Sequence, residues 1–579
     1  MPIRPWISYA LAVACIVGSG AAFGRAPRAA SHPTPRVAVA IVIDQLAAWV
    51  AEERLDKLPP GGGFARLRSE GTWVKRCEFV YAVTETAPGH AALFTGKTPR
   101  ETGIVGNKVW RGDLGEAASL LADKETRLVS FDSQQDRMPG VFGISLKKLK
   151  TDTIADELMS RPGGANVVSV SMKYRGAAFG GGRRRAGQSG ATLWFDEDSG
   201  RLVTSSAFAD ALPAWAEKFK ATPRSSVWKL TPAEETFLSD RTKAKEATAD
   251  AQVGEAVDMG DATFPHLAKD PKTYRATPDA DRLVIDLALA AIEHRCDNAS
   301  DKTECGRRPT LVSVSLSAND YIGHRFGPDS WEAWDELLRL DAELKRFLDK
   351  LDAQFGRHGY SVLLTGDHGI PQLPETVGMK DVACGPSTTY QLSCKPGVRL
   401  SKAALLQKLQ GALTKAYGAA IVRDVIDSLV FLRDDARGLV RQNPDVDALI
   451  RSTLVAQPGV ADVYRISDFK SGCGAGSVAD PKQAMRRLVC ESVVADDSGE
   501  YGDYYIVPSP GSFFVDPPDV VSHGTPYAYD RTVPLLVRYP RGKGGETKSS
   551  ARFTSFHDSL RYALTGEKTG DVIGSGVWE

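Results

Sequence analysis

Five short apolar runs set the first limit on how this chain can fold. Val37–Asp44, Asn166–Met172, Thr310–Ser317, Tyr360–Gly366 and Thr532–Tyr539 are rich in β-branched and aliphatic residues. They lack the clean in/out alternation of a half-exposed strand, so they read as parallel strands buried on both faces. Helical patterns separate them. In Trp331–Leu351, apolar Leu337, Leu340, Leu344, Phe347, Leu348 and Leu351 recur at 3–4 spacing, which gives one buried helix face. Alternating strands and helices predict an α/β fold with a doubly wound, mostly parallel central sheet. Two stretches interrupt the rhythm. Residues about 180–275 are Arg/Gly-rich and then polar, and residues about 372–500 carry four cysteines with their own helices and strands. Both are read as insertions that cap the sheet, leaving 35–579 as a single large domain.

The N-terminus points to export. Residues 1–43 contain no Asp or Glu, Arg4 precedes a largely apolar run from Ile7 to Phe23, and small residues follow. This is the build of a secretory signal peptide, here taken as residues 1–26. No later segment reaches the length of a membrane span, so none is expected once the signal is removed. Cysteine spacing agrees with a periplasmic or secreted location. Six of the eight cysteines fall into sequence-local pairs, 296/305, 384/394 and 473/490, which can close loops in an oxidising compartment. Cys77 is left over, as a buried thiol. Lys+Arg and Asp+Glu balance at 72 each, which gives no support to a specific nucleic-acid partner.

The chemistry-bearing residues cluster at strand ends, where open α/β sheets bind ligands. Asp44 ends the first run, Lys173 follows the second, Asp320 follows the third, and Asp367 with His368 end the fourth. A single Asp at such a point is commonly a helix cap, but four strands delivering charge to one edge is a different matter. Asp320 and His324 are four apart and share a face if helical. His523 stands in a Ser-His-Gly-Thr-Pro loop ahead of the last run. Mixed imidazole and carboxylate donors suit Zn2+. Five to six such ligands exceed one open site and suit two ions about 4 Å apart. Two hydroxyls compete as nucleophile, Thr84 and Thr86. Pro88 fits a first helical turn, which places Thr86 just before a helix N-terminus, where N–H groups favour an anion. Other features are discounted. Gly180–Arg185 reads as a mobile loop rather than a phosphate cradle, His90 as structural, and Trp194 and Phe195 as packing of a cap.

The ordered set Ile43-Asp44, Thr86-Ala-Pro-Gly-His90, Gly103-Ile-Val-Gly-Asn107, Lys173-Tyr-Arg175, Asp320…His324, Thr-Gly-Asp367-His368-Gly and His523-Gly-Thr-Pro resembles the alkaline phosphatase superfamily. In particular it is similar to secreted bacterial alkaline phosphatases with a threonine nucleophile, which are related to nucleotide pyrophosphatase/phosphodiesterases. The resemblance implies two zinc ions per chain. One is held by Asp44, Asp367, His368 and Thr86, the other by Asp320, His324 and His523. It implies Thr86 as nucleophile through a phosphothreonine intermediate, with Asn107, Lys173 and Arg175 meeting the phosphoryl oxygens. The implied activity is hydrolysis of small phosphate monoesters with release of inorganic phosphate, by a chain expected to be monomeric. A diesterase or nucleotide pyrophosphatase on the same fold is the nearest alternative, and a non-catalytic secreted metal-binding protein a more distant one.

Overall fold

The Val37–Ile43 strand is buried at every position and pairs in parallel with Thr310–Leu316 on one side and Tyr360–Thr365 on the other. It lies at the middle of a computed structural model that describes residues 36–574, apart from 138–140, 184–188, 224, 252–253, 298, 380–381, 386–393 and 475–479. The expected export segment lies outside the described residues. From this strand the sheet grows to ten. The order is Glu546–Arg552, Thr72–Glu78, Thr532–Arg538, Tyr360–Thr365, Val37–Ile43, Thr310–Leu316, Asn166–Ser171, Ser189–Phe195, Leu202–Ser205 and Leu128–Val129.

Period-2 geometry sends alternate side chains of each strand to opposite faces. Ala38, Ala40 and Val42 enter one apolar core, and Val37, Val39, Ile41 and Ile43 enter the other. The first core is covered by helices Thr86–Thr95, Tyr174–Gly181 and Thr554–Thr565, the second by Pro278–Glu293 and Trp331–Phe355. Leu337, Leu344, Phe347, Leu348 and Leu351 of the long helix are fully buried, as their spacing requires. The sheet is therefore doubly wound.

Three expectations need correction. Thr532–Arg538 is buried throughout but runs antiparallel to both Tyr360–Thr365 and Thr72–Glu78. A strand covered on both faces shows the same continuous apolar run whichever way it points, so its direction is invisible in composition. Residues 180–275 also do not merely cap. Ser189–Phe195 pairs in parallel with Asn166–Ser171, and Leu202–Ser205 pairs with it in turn. Trp194 and Phe195 are thus buried members of the central sheet. Gly180 and Gly181 are not a loop either. They end the Tyr174–Gly181 helix, where a Cβ would stand 2.2 Å from Ser313 Oγ and 2.3 Å from Thr192 Oγ1, so glycine lets the helix lie flat on the sheet.

The other insertion builds a separate antiparallel sheet, ordered Val422–Ile426, Leu429–Leu432, Tyr504–Pro508, Val460–Arg465. Helices Lys402–Tyr417 and Pro444–Val455 close its own apolar core through Leu405, Leu409, Leu413, Val446, Ile450 and Leu454. Disulfides join Cys296–Cys305, Cys384–Cys394 and Cys473–Cys490, and Cys77 is a free, buried thiol whose pKa burial pushes far up. Among the described residues no helix is long and apolar enough to cross a membrane.

Candidate metal centre and active site

The strand ends bring together what the spacing suggested. Asp44 leaves the Val37–Ile43 strand with its N–H on Leu316 O at 2.9 Å. Asp367 and His368 leave Tyr360–Thr365, and Asp320 and His324 lie one turn apart on helix Ala318–Phe326. Two groups form, Asp44/Asp367/His368 and Asp320/His324/His523, and within each the ligand atoms lie within 4.8 Å of one another. The groups adjoin: the His368 and His523 rings stack at 3.7 Å between centroids.

Each imidazole is locked by its other nitrogen. Nδ1 of His324 meets Val521 O at 2.7 Å, that of His523 meets Thr84 O at 2.7 Å, and that of His368 meets Gly369 O at 3.0 Å. A carbonyl can only accept, so Nδ1 carries the proton and Nε2 faces inward with its lone pair, the usual preparation of a metal-binding histidine. His324 Nε2 is 3.2 Å and His523 Nε2 3.6 Å from Asp320 Oδ1, and His368 Nε2 is 3.3 Å from Asp44 Oδ1.

The fit to a cation is tested by what these atoms lack. Asp44 Oδ1, Asp367 Oδ2 and His368 Nε2 are buried and make no hydrogen bond. Three converging lone-pair atoms without a donor are costly unless a cation sits between them. The mixed N/O donors match zinc better than calcium or magnesium, which prefer oxygen alone. Without a cation, protons partly fill the role. Burial lowers the His324 and His368 pKa values, but Asp320 raises the first to about 9, and Asp367 and Asp44 raise the second to about 10. Burial, reinforced by the His368 and His324 charges and opposed by Asp320, drives the His523 pKa well down.

Lys173 caps helix Tyr174–Gly181 and is almost fully buried. Its Nζ lies 2.6 Å from Asp44 Oδ2 and in still closer contact with Asp320 Oδ2, so it joins the two groups. Arg175 is the second residue of that helix, with Nη2 3.2 Å from Glu197 Oε1. Thr86 is the first residue of helix Thr86–Thr95, with Glu85 rather than Thr86 at the cap position, and it is 2% exposed. The competing hydroxyl is occupied: Thr84 Oγ1 donates to Thr525 O at 2.9 Å. Asn107 faces the same helix start, where Oδ1 accepts from Ala87 N at 2.9 Å and its own N–H donates to Glu85 Oε2 at 2.7 Å.

Sequence reasoning missed three residues. Gln45 donates from its backbone to Asp367 Oδ1 at 3.1 Å and from Nε2 to Asp320 Oδ1 at 2.8 Å, touching both groups. Its φ of 66° is left-handed, an uncommon state for a residue with a side chain. His90 was read as merely structural, yet its Nδ1 is 3.1 Å from Asp367 Oδ2 and 3.0 Å from Thr86 O. Glu85, buried and beside Asp427, has its carboxyl pKa pushed up to about 8, by burial first. Only adjacency to Asp44 and Thr86 could have flagged Gln45 and Glu85.

The family model for type I phosphodiesterase / nucleotide pyrophosphatase matches residues 38–384. The chain is 30% identical to "Alkaline phosphatase PafA" of Elizabethkingia meningoseptica, over 100% of this chain and 98% of that one. It is 29% identical to "Alkaline phosphatase PhoV" of Synechococcus elongatus, over 94% and 92%. The crystal structure of wild-type PafA superposes with a TM-score of 0.71, covering 94% of this chain and 98% of that one at 23% identity. This chain belongs to the type I phosphodiesterase / nucleotide pyrophosphatase family, within the alkaline phosphatase superfamily.

Proposed function

We propose that this protein hydrolyses phosphate monoesters of broad range through a phosphothreonine intermediate at a two-zinc site. The observation that best supports this reading is the pair of adjoining Asp/His groups, with Asp44 Oδ1, Asp367 Oδ2 and His368 Nε2 of the first buried without a donor. Asp44, Asp367 and His368 with Thr86 would hold one Zn2+, and Asp320, His324 and His523 the other. Such ions, when bound, lower the pKa of a hydroxyl and stabilise a leaving oxygen.

The chain's own residues do the rest. Thr86 Oγ1 gives up its proton to solvent and attacks phosphorus in line, the bond from phosphorus to the ester oxygen breaks, and the alcohol departs with a proton taken from water, so no net proton is lost or gained. Water then attacks the phosphothreonine, the bond to Oγ1 breaks, and inorganic phosphate leaves with the threonine hydroxyl restored. At the start of helix Thr86–Thr95, Ala87 N–H is taken by Asn107 Oδ1, Pro88 has none and Gly89 N–H bonds Glu85 O, which leaves the Thr86 N–H to meet the anion. Asn107, with Oδ1 tied to Ala87 N, has Nδ2 left to donate to a phosphoryl oxygen. Lys173 adds a point charge and Arg175 a two-pronged donor, the positive excess that a monoester dianion needs and a diester does not.

Residues 35–579 act as one catalytic domain with its caps, after a signal of residues 1–26. Three disulfides support a periplasmic or secreted location. The alkaline phosphatase relatives favour monoesters, while the family model favours diesters as the second reading. Metal content, with turnover of p-nitrophenyl phosphate and its bis ester, decides between them. We expect two zinc per chain, reversible loss on chelation and monoester preference, with a loss of at least ~10³-fold in Thr86→Ala. Diester preference would overturn the substrate, and an active Thr86→Ala would overturn the nucleophile.

A further inference from the structure

Arg175 is engaged from outside its own helix. The Glu197 carboxylate lies between two guanidiniums, with Oε1 3.2 Å from Arg175 Nη2 and Oε2 3.6 Å from Arg275 Nη1. Glu197 and Arg275 both belong to the 180–275 insertion. Glu197 sits in the turn that joins strands Ser189–Phe195 and Leu202–Ser205, and Arg275 is the C-cap of the short helix Pro271–Tyr274. The turn is fixed in place. Asp196 N–H donates to Arg201 O at 2.8 Å, Ser199 N–H donates to Asp196 Oδ2 at 2.9 Å, and Lys272 Nζ lies 2.8 Å from Asp198 Oδ1. A Cβ on Gly200 would stand 2.7 Å from Pro271 Cγ, so turn and helix are packed together.

The cluster adjoins the two Asp/His groups. Tyr321 directly follows Asp320, and its ring centroid lies 4.4 Å from Lys173 Nζ and 4.5 Å from the Arg275 guanidinium carbon, within cation–ring contact of both. Burial would raise the Glu197 pKa, but Arg175 and then Arg275 hold it below its ordinary value, so the carboxyl is an anion. Two guanidiniums against one carboxylate leave a net positive charge. The ion contacts also spend few donors: Arg175 Nε, Arg275 Nε, Arg275 Nη1 and Glu197 Oε1 are buried without a hydrogen bond. Arg175 is thus confined by charge, while its Nε–H remains to meet an anion.

We propose that Glu197 is a positioning residue that sets the Arg175 guanidinium, and that Arg275, by sharing Glu197, keeps Arg175 from being neutralised. Side chains that meet a substrate need outer partners to lock their rotamers, and a long arginine has much freedom to lose. The inference rests on the phosphoryl-binding role given to Arg175 above and adds what orients it. A carboxylate that only drained charge from Arg175 would act with the opposite sign, since its removal would strengthen anion binding.

The test uses the zinc-loaded enzyme, turnover of p-nitrophenyl phosphate and calorimetric binding of inorganic phosphate. Glu197→Ala should lower kcat/KM by about tenfold, within the roughly 10²-fold that a 1 Å misplacement can cost. It should also weaken phosphate binding several-fold at unchanged zinc content. Glu197→Gln keeps the shape of the side chain and should fall between wild type and Glu197→Ala. Arg275→Met should weaken phosphate binding too, because Glu197 then neutralises Arg175 alone. In an Arg175→Ala background, Glu197→Ala should cost nothing further. Tighter phosphate binding or unchanged kcat/KM in both Glu197 variants, or the same loss in the Arg175→Ala background, would overturn the positioning role. Unchanged phosphate binding in Arg275→Met would overturn the sharing. Wild-type kcat/KM in Arg175→Ala alone would instead overturn the phosphoryl-binding role on which the inference stands.

Discussion

Lys173 Nζ lies 2.6 Å from Asp44 Oδ2, and the contact joins the ends of two strands, Asn166–Ser171 and Val37–Ile43, across the intervening Thr310–Leu316. Burial alone would lower the lysine pKa, but Asp320 and Asp44 together hold it far above its usual value, so the ammonium is permanently charged. One cation thereby offsets a carboxylate from each Asp/His group. An arrangement of this kind keeps buried negative charge tolerable and leaves a fixed positive charge between the two groups.

Replacing Lys173 with Met keeps most of the unbranched stem and removes the ammonium and its charge. We expect kcat/KM for p-nitrophenyl phosphate to fall by ~10²–10³-fold, the scale of losing one preorganised donor to developing charge. The bis ester, carrying less charge, should lose several-fold less. Measuring both substrates on one enzyme preparation checks this, and equal losses would remove Lys173 from monoester selection.

Gln45 is a positioning residue, since its two hydrogen bonds reach Asp367 and Asp320, one in each group. Gln45→Ala keeps the backbone bond but removes the side-chain bond to Asp320 Oδ1. Outer partners of metal ligands commonly carry 10–100-fold in affinity, so zinc should bind about tenfold or more weakly at the Asp320 group. Competition with a chromophoric chelator reads this directly, without recourse to activity, and unchanged affinity would leave Gln45 as a turn residue only.

Much of this was legible in the sequence, for physical reasons. A strand buried on both faces must be apolar, so the five runs stood out, and a ligand must be Asp or His at a strand end, so the two groups did too. Strand direction was not legible, because burial imposes no sign on Thr532–Arg538. Nor was the joining of Ser189–Phe195 to the sheet, since Gly190 inside the strand and the Gly/Arg-rich run Gly180–Arg185 before it read as a loop. Gln45, His90 and Glu85 escaped because their roles depend on contacts 225–322 residues apart or on backbone atoms, and no local spacing encodes those.

Gly180 offers a test of the helix-on-sheet packing. A Cβ there would meet Ser313 Oγ at 2.2 Å and Ser313 Cβ at 2.5 Å, against a strand with no room to retreat. Gly180→Ala gains helix propensity of up to about 1 kcal/mol in an open helix. Here overpacking of about 1–3 kcal/mol should win, giving net destabilisation. Denaturant unfolding gives the sign, and a more stable variant would show that the helix can lift from the sheet at little cost.

The last prediction concerns a pair of carboxyl groups behind the metal-binding helix. Asp281 Oδ1 accepts from Ser317 N at 2.8 Å and Ala318 N at 3.0 Å, capping the helix that carries Asp320 and His324. Its Oδ2 and both oxygens of Glu336 are buried without a donor, so the two acids must share a proton. Burial, and then the Asp281 charge, raise the Glu336 pKa well above 4.5, with Asp335 adding to the effect and Arg339 opposing it. A raised folded-state pKa contributes stability that is complete below the unfolded value of 4.5 and is lost as pH rises toward the folded value. Glu336→Gln retains a donor toward Asp281 and has nothing to ionise. Relative to wild type, the variant should therefore gain about 1.4 kcal/mol per pH unit above pH ~4.5 until the folded pKa is passed. Unfolding of both proteins in chelator from pH 5 to 9 measures the difference, with the zinc contribution removed from each. Parallel stability curves would mean that Glu336 is ionised in the native state and that some other group neutralises the pair.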